Sequence, residues 1–174
     1  MNRVDLTTAL GRLLCSASFR RTFATDRMQT AITLGLCDED LNAFLNLDCS
    51  SIESQAQTLI QKRLREVATL LPETFRRAGI QAIIDFEDYA DSYWPTGHRR
   101  HLDDAAQFCK FLNENERPLC HAEFNRVRFA AQERRFCLHF VRDATTGSKL
   151  RCALQLLFRR RQQKTQEISF YLAL

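Results

Sequence analysis

The sequence predicts an α+β fold: a helical bundle over residues 1–132, then a small three-stranded antiparallel meander over residues 133–174 packed on it. Three observations carry this. Apolar residues recur at spacings of three and four as far as about residue 132. From Arg134 onward they alternate with their neighbours. The charge changes sign near the same place. Residues 1–116 hold 13 Lys and Arg against 17 Asp and Glu, whereas residues 117–174 hold 12 against 4, namely Glu123, Glu133, Asp143 and Glu167. An acidic segment followed by a basic one points the C-terminal part toward nucleic acid, an acidic peptide or an acidic protein surface. A solvated arginine-rich face is the plain alternative.

The elements follow in order. Leu6, Leu10, Leu13 and Leu14 mark a first amphipathic helix. Residues 19–35 carry Phe19, Phe23, Met28, Ile32 and Leu34, with Gly35 as the stop. Asp38 caps a short helix holding Leu41, Phe44, Leu45 and Leu47. Ser50 and Glu53 have capping-box spacing and open the longest helix, whose apolar stripe runs from Ile52 to Leu71. Pro72 ends or bends that helix, because proline has no amide donor for the preceding turn. Residues 73–78 resume briefly before Gly79. Ile80, Ile83, Ile84, Phe86 and Tyr89 then form the apolar face of the next helix. Leu102, Ala105, Phe108, Cys109 and Leu112 define another, and Pro118 suits the first turn of a last one. Three alternating runs complete the chain: Phe136, Leu138 and Phe140; Leu150, Cys152, Leu154, Leu156 and Phe158; Ile168, Phe170 and Leu172. Asp143–Ser148 and Arg160–Gln166 have hairpin length. The apolar face of this meander is expected to lie on the last helices, and at least one edge is open to a further strand.

Composition excludes several classes. Apolar residues are 45% and charged residues 26% of the 174, with Gly 5 and Pro 3, which rules out collagen, flexible linkers and low-complexity disorder. No apolar run approaches the roughly 18 residues of a membrane span. The N-terminal residues lack the pattern of a secretory signal, so a cytoplasmic protein without membrane association is expected. Seven cysteines with no close pair are expected to be reduced, most of them behaving as small hydrophobes.

There is no GxGxxG, P-loop, HExxH or GxSxG motif. His98 and His101 stand three apart, but no further ligand follows at metal spacing, and a basic loop opening a helix is the simpler account. Cys120 and His121 are neighbours whose side chains diverge on a helix, so they do not form a nucleophile–base pair. Asp103 and Asp104 near a helix start suit the helix dipole. Lys62, Arg63, Arg65 and Glu66 make a polar helix face. No catalytic residue and no metal ligand is assigned.

Across residues 44–112 stand Phe44-Leu45-Asn46-Leu47-Asp48, then Ala56-Gln57-Thr58-Leu59-Ile60-Gln61-Lys62-Arg63-Leu64, then Leu70-Leu71-Pro72-Glu73-Thr74. Gly79, the Phe86–Ala90 stretch, Pro95, His101, Asp103-Asp104-Ala105 and Phe108-Cys109-Lys110-Phe111-Leu112 follow. This pattern resembles the small helical partner proteins encoded beside multinuclear non-haem iron-dependent oxidative enzymes, such as the methanobactin-biosynthesis partner. A related helical domain is labelled as DNA-binding. The resemblance implies a non-catalytic, peptide-recruiting subunit in a heterodimer with an iron-dependent enzyme that modifies a ribosomally made precursor peptide. It implies iron on that enzyme and no cofactor on this chain, and a leader peptide held partly by strand addition. The basic residues Arg142, Arg151, Arg159, Arg160 and Arg161 are then the expected peptide-binding set. Lys62, Arg63, Arg99, Arg100 and His101 are the expected partner interface. The second expectation is a DNA-binding or transcription-regulatory protein using the same basic face.

Overall fold

The computed structural model describes residues 3–132, 135–146, 149–159 and 165–171. Among them it is mostly helical with a small antiparallel sheet at the C-terminal end, an α+β fold as the sequence predicts. The helices are α1 (Leu6–Cys15), α2 (Ala17–Thr25), α3 (Arg27–Leu34), α4 (Asp38–Leu45), α5 (Cys49–Leu70), α6 (Pro72–Ala78), α7 (Ile80–Ser92), α8 (Arg100–Glu114) and α9 (His121–Ala131). The strands are β1 (Phe136–Thr146), β2 (Lys149–Arg159) and β3 (Thr165–Tyr171). The chain divides into two compact units, Met1–Lys62 with Glu87–Trp94, and Arg63–Phe86 with Pro95–Leu174.

In the first unit Ala9, Leu13, Phe23, Ala31, Leu34, Phe44 and Ile52 form the buried core, with Phe23 and Phe44 edge to face at 5.0 Å. Val4 bridges Leu36 in parallel, its amide donating to the Gly35 carbonyl at 2.9 Å. Residues 19–35 are two helices rather than the one expected. Asp26 adopts an extended conformation (φ −146°) and its carboxylate accepts from the Gln29 amide at 2.8 Å, so it caps α3 and breaks the run. Gly35 ends α3 at φ 72°, a left-handed value that glycine adopts at little cost. The capping box at Ser50 does not form. Asp48 takes that role, accepting from the Ser51 amide at 2.8 Å and the Ser50 hydroxyl at 2.6 Å. These bonds hold the Asp48 carboxyl well below the usual carboxylate range. Glu53 pairs instead with Arg20 at 2.8 Å, and Arg20 also donates to the carbonyls of Leu13 and Leu14 at the end of α1.

In the second unit Pro72 behaves as expected. The long helix stops at Leu70, Leu71 turns out of helical geometry (φ −126°, ψ 45°), and Pro72 starts α6 where its missing amide costs nothing. The first amides of α6 are capped from a distance. Buried Glu123 accepts from the Glu73 amide at 2.7 Å and from the Thr74 amide and hydroxyl at 2.8 Å. The Cys120 amide donates to the same hydroxyl at 3.1 Å, and burial pushes the nearby Cys109 thiol up. All seven cysteines are free thiols, and Cys109 and Cys120 are buried. Pro118 lies outside the last helix. Leu119 and Cys120 are buried, Cys120 is extended, and α9 begins at His121.

Three further expectations are corrected here. Arg63 does not sit on a polar helix face. It is 7% exposed and forms a double hydrogen bond with Asp104, Nε at 2.9 Å and Nη2 at 2.8 Å. Asp104 is therefore an ion-pair partner rather than a helix-dipole match; losing either charge costs about 3–5 kcal/mol, because the other stays buried. On α7 the isoleucines face outward: Ile80, Ile83 and Ile84 are exposed, whereas Ala82, Asp85, Phe86, Tyr89 and Ala90 are buried. Phe86 instead meets Phe108 edge to face at 5.1 Å.

The third correction concerns the sheet, whose order is β1-β2-β3, antiparallel throughout. β1 runs on into the predicted turn as far as Thr146, with an irregularity between Val141 and Ala144. The face carrying Phe136, Leu138, Phe140, Leu154, Leu156, Phe158, Ile168 and Phe170 does not lie on the helices. The opposite face does: Val141, Ala153, Gln155 and Leu157 are buried, and Val141 and Ala153 cluster with Ala122 of α9. Small side chains let the helix approach closely; a row of phenylalanines would hold it off.

Candidate functional site

The underside of the sheet is tied to α9 by a polar network. Gln155, 1% exposed, donates from Nε2 to the Ala122 carbonyl at 2.9 Å and to Glu167 at 3.0 Å, and accepts from Asn125 at 3.1 Å. Arg126 closes the ring by donating to Glu167 at 2.6 Å, and the Ser169 hydroxyl adds a bond at 3.1 Å. Burial pushes the Glu167 carboxyl up, but the bonds from Arg126 and Gln155 and the charge of Arg126 outweigh it and hold the group below its ordinary value. Cys137 and His139 share this face, with Sγ and Nε2 2.9 Å apart. The sequence reading weighed Cys120 with His121 and passed over this pair. Its signal was the spacing of two in a strand, which puts both side chains on one side. His121 is exposed while Cys120 is buried, so those neighbours do point apart.

The expected peptide-binding arginines divide. Arg142 is exposed on β1, and Arg135, just before the strand, is exposed as well. Arg151 lies on β2, paired through its backbone with Ala144. Arg160 and Arg161 lie outside the described residues. Arg159 is occupied: its Nη2 donates to the carbonyls of Phe129 at 3.0 Å and Ala130 at 2.9 Å, and to that of Gln132, with the guanidinium 5.4 Å over the Phe129 ring. It caps the C-terminal carbonyls of α9, where a cation also suits the helix dipole.

Of the expected interface residues, Lys62, Arg99, Arg100 and His101 are exposed. Arg63 is the exception, since a buried, doubly bonded guanidinium does not reach a partner. Arg100 and His101 on the first turn of α8 line a cleft of about 450 Å³ with Glu66, Thr69 and Leu70 of α5. Lys62, Arg63 and Arg99, expected on the same surface, do not line this cleft. A second cleft of about 500 Å³, between α8 and α9, is lined by Asp103, Gln107, Lys110, Phe124, Arg128 and Gln132. Among the described residues no group of three or more His, Cys, Asp or Glu is placed to hold a metal ion, and no helix is long and apolar enough to cross a membrane.

The open sheet face was missed altogether. Its side chains stand in cross-strand rows: Phe136–Phe158–Gln166, Leu138–Leu156–Ile168 and Phe140–Leu154–Phe170. Phe136, Leu138, Phe140, Ile168 and Phe170 are 60%, 51%, 55%, 43% and 55% exposed. No protein-family model, curated protein or solved structure matches this chain.

Proposed function

We propose that this chain is a non-catalytic subunit that binds an extended precursor peptide by strand addition and presents it to an iron-dependent oxidative enzyme, which carries the iron. The observation that supports it most is the edge of β1. Among the described residues the sheet ends at β1 and β3, and an edge strand offers main-chain donors and acceptors to an incoming strand. β1 is the edge favoured for an acidic leader, because exposed Arg135 immediately precedes it and exposed Arg142 lies on it. The resemblance of residues 44–112 to peptide-recruiting partner proteins supplies the enzyme side. Arg100 and His101, with the cleft they share with Glu66, are the docking surface proposed for it. The DNA-binding alternative fits less well: among the described residues the basic region exposes an apolar sheet face, which offers phosphates nothing.

The test is calorimetric titration with the leader segment of a precursor peptide encoded beside this chain, at low and high salt. Binding that weakens with salt is expected. Replacing Arg135 and Arg142 together by Glu should weaken it about tenfold, since exposed ionic contacts contribute up to about 1 kcal/mol each. No peptide binding, together with steeply salt-dependent binding to duplex DNA, would overturn the proposal in favour of the regulator.

A further inference from the structure

We propose that the open face of the sheet is the interface of a homodimer, in which a second copy lays its own open face against the first and closes a six-stranded, two-layer sandwich. The first ground is area. Five side chains about half exposed contribute roughly 100 Å² each, and half-buried Leu154, Leu156 and Phe158 add to this, giving about 600 Å² per copy. That lies at the upper end of the largest apolar patch a monomer normally shows. Two such faces bury about 1,200 Å², the lower bound of a specific interface, which fits a dimer of micromolar affinity.

The second ground is charge. A two-fold interface sets a surface against itself, so any net charge on it is repelled by its own image. Residues 117–174 carry a large excess of positive charge, yet the eight central positions of this face carry none. Arg126 and Arg159 are drawn to the opposite side, toward Glu167 and the end of α9. The polar residues that share the open face flank the apolar rows: Gln166 completes the row of Phe136 and Phe158 on the β3 edge, and Arg142 follows Phe140 where the β1–β2 register is interrupted. An apolar centre with a polar rim is how protein–protein interfaces are built. The middle row, Leu138–Leu156–Ile168, holds no aromatic ring, so the face suits another apolar surface better than a stack of nucleobases. Face-to-face packing leaves the edges of β1 and β3 accessible, so the dimer stands or falls independently of peptide binding.

The experiment is sedimentation velocity on the full chain from about 1 to about 200 μM, bracketing the affinity this area supports. A reversible monomer–dimer equilibrium is expected. Leu138→Asp with Phe140→Asp should hold the chain monomeric over the whole range with an unchanged far-ultraviolet circular dichroism spectrum. Ile168→Glu on β3 is the second variant, for use if the double one misfolds, and should weaken dimerisation at least tenfold. Arg142→Glu at the rim should leave the dimer in place. A wild-type chain monomeric throughout, or a dimer that survives Ile168→Glu unchanged, overturns the proposal. So does a monomer that binds labelled oligo(dT) in fluorescence anisotropy and loses that binding in the open-face variants.

Discussion

The two faces of the C-terminal sheet divide their residues against hydropathy. The face buried on α9 holds Val141, Ala153 and Leu157 beside Gln155, with half-buried Glu167 and Ser169. The face turned away from α9 holds four phenylalanines, three leucines and an isoleucine. Burial therefore followed fit and bonding more than hydropathy. Ala153, Val141 and Ala122 let helix and sheet close up, and Gln155 converts the polar remainder into hydrogen bonds that specify one register. The large side chains, turned outward, remain available to a partner.

The largest break in this contrast is expected at Gln155. Gln155→Ala removes three hydrogen bonds and leaves the Ala122 carbonyl, the Asn125 amide and Glu167 each short of a partner, costing about 2–3 kcal/mol. In a chain of this size that lowers the melting temperature by roughly 5–10 °C in a thermal scan. Arg159→Met keeps the aliphatic stem but not the cap on α9, and should cost about 1–2 kcal/mol by chemical denaturation. Both should leave the open face untouched, so dimer formation by the remaining folded protein is a control.

Acid should weaken the underside selectively. The Glu167 carboxyl is held below its ordinary value in the folded chain, so its contribution is present above the unfolded value and is lost as pH falls through the folded one. Unfolding followed from pH 7 down to about pH 3 should show a loss of stability that Glu167→Gln reduces. The smallest effect is expected on the open face. Phe136→Ser should change the stability of the monomer by no more than about 0.5 kcal/mol, measured at a concentration where dimer is absent.

Much of the fold was legible because its signals are local. Pro72 and Gly35 end helices by what their own backbones cannot or can do, and alternation from Phe136 onward gave the strands. Signals that compete within a few residues were read less well: Asp48 and Ser50 both suit a cap, and Asp26 interrupts a helical pattern that continues on both sides. Where two stripes fit one element, pattern could not choose. On α7 the set Ala82, Phe86 and Tyr89 has helical spacing, as does the isoleucine set, and on β2 Ala153 and Leu157 compete with Leu154 and Leu156. The choice is made by partners distant in sequence, such as α9 beneath the sheet. The Arg63–Asp104 pair, 41 residues apart, is of the same kind. The candidate site suffered most, since which arginines are occupied is a tertiary fact: Arg142 is exposed while Arg159 is spent on the carbonyls of α9.

The most direct test of which face is buried is a paired substitution, Leu157→Asp against Leu138→Asp, compared by thermal unfolding at a concentration low enough for monomer. Leu157 is fully buried and Leu138 is 51% exposed. A carboxylate forced into the α9 side should cost more than about 4 kcal/mol and abolish the cooperative transition or lower it by well over 10 °C. The same change at Leu138 should move it by no more than about 3 °C. The opposite ranking, with Leu138→Asp unfolding the chain and Leu157→Asp tolerated, would mean that the phenylalanine face is the buried one and would contradict the account.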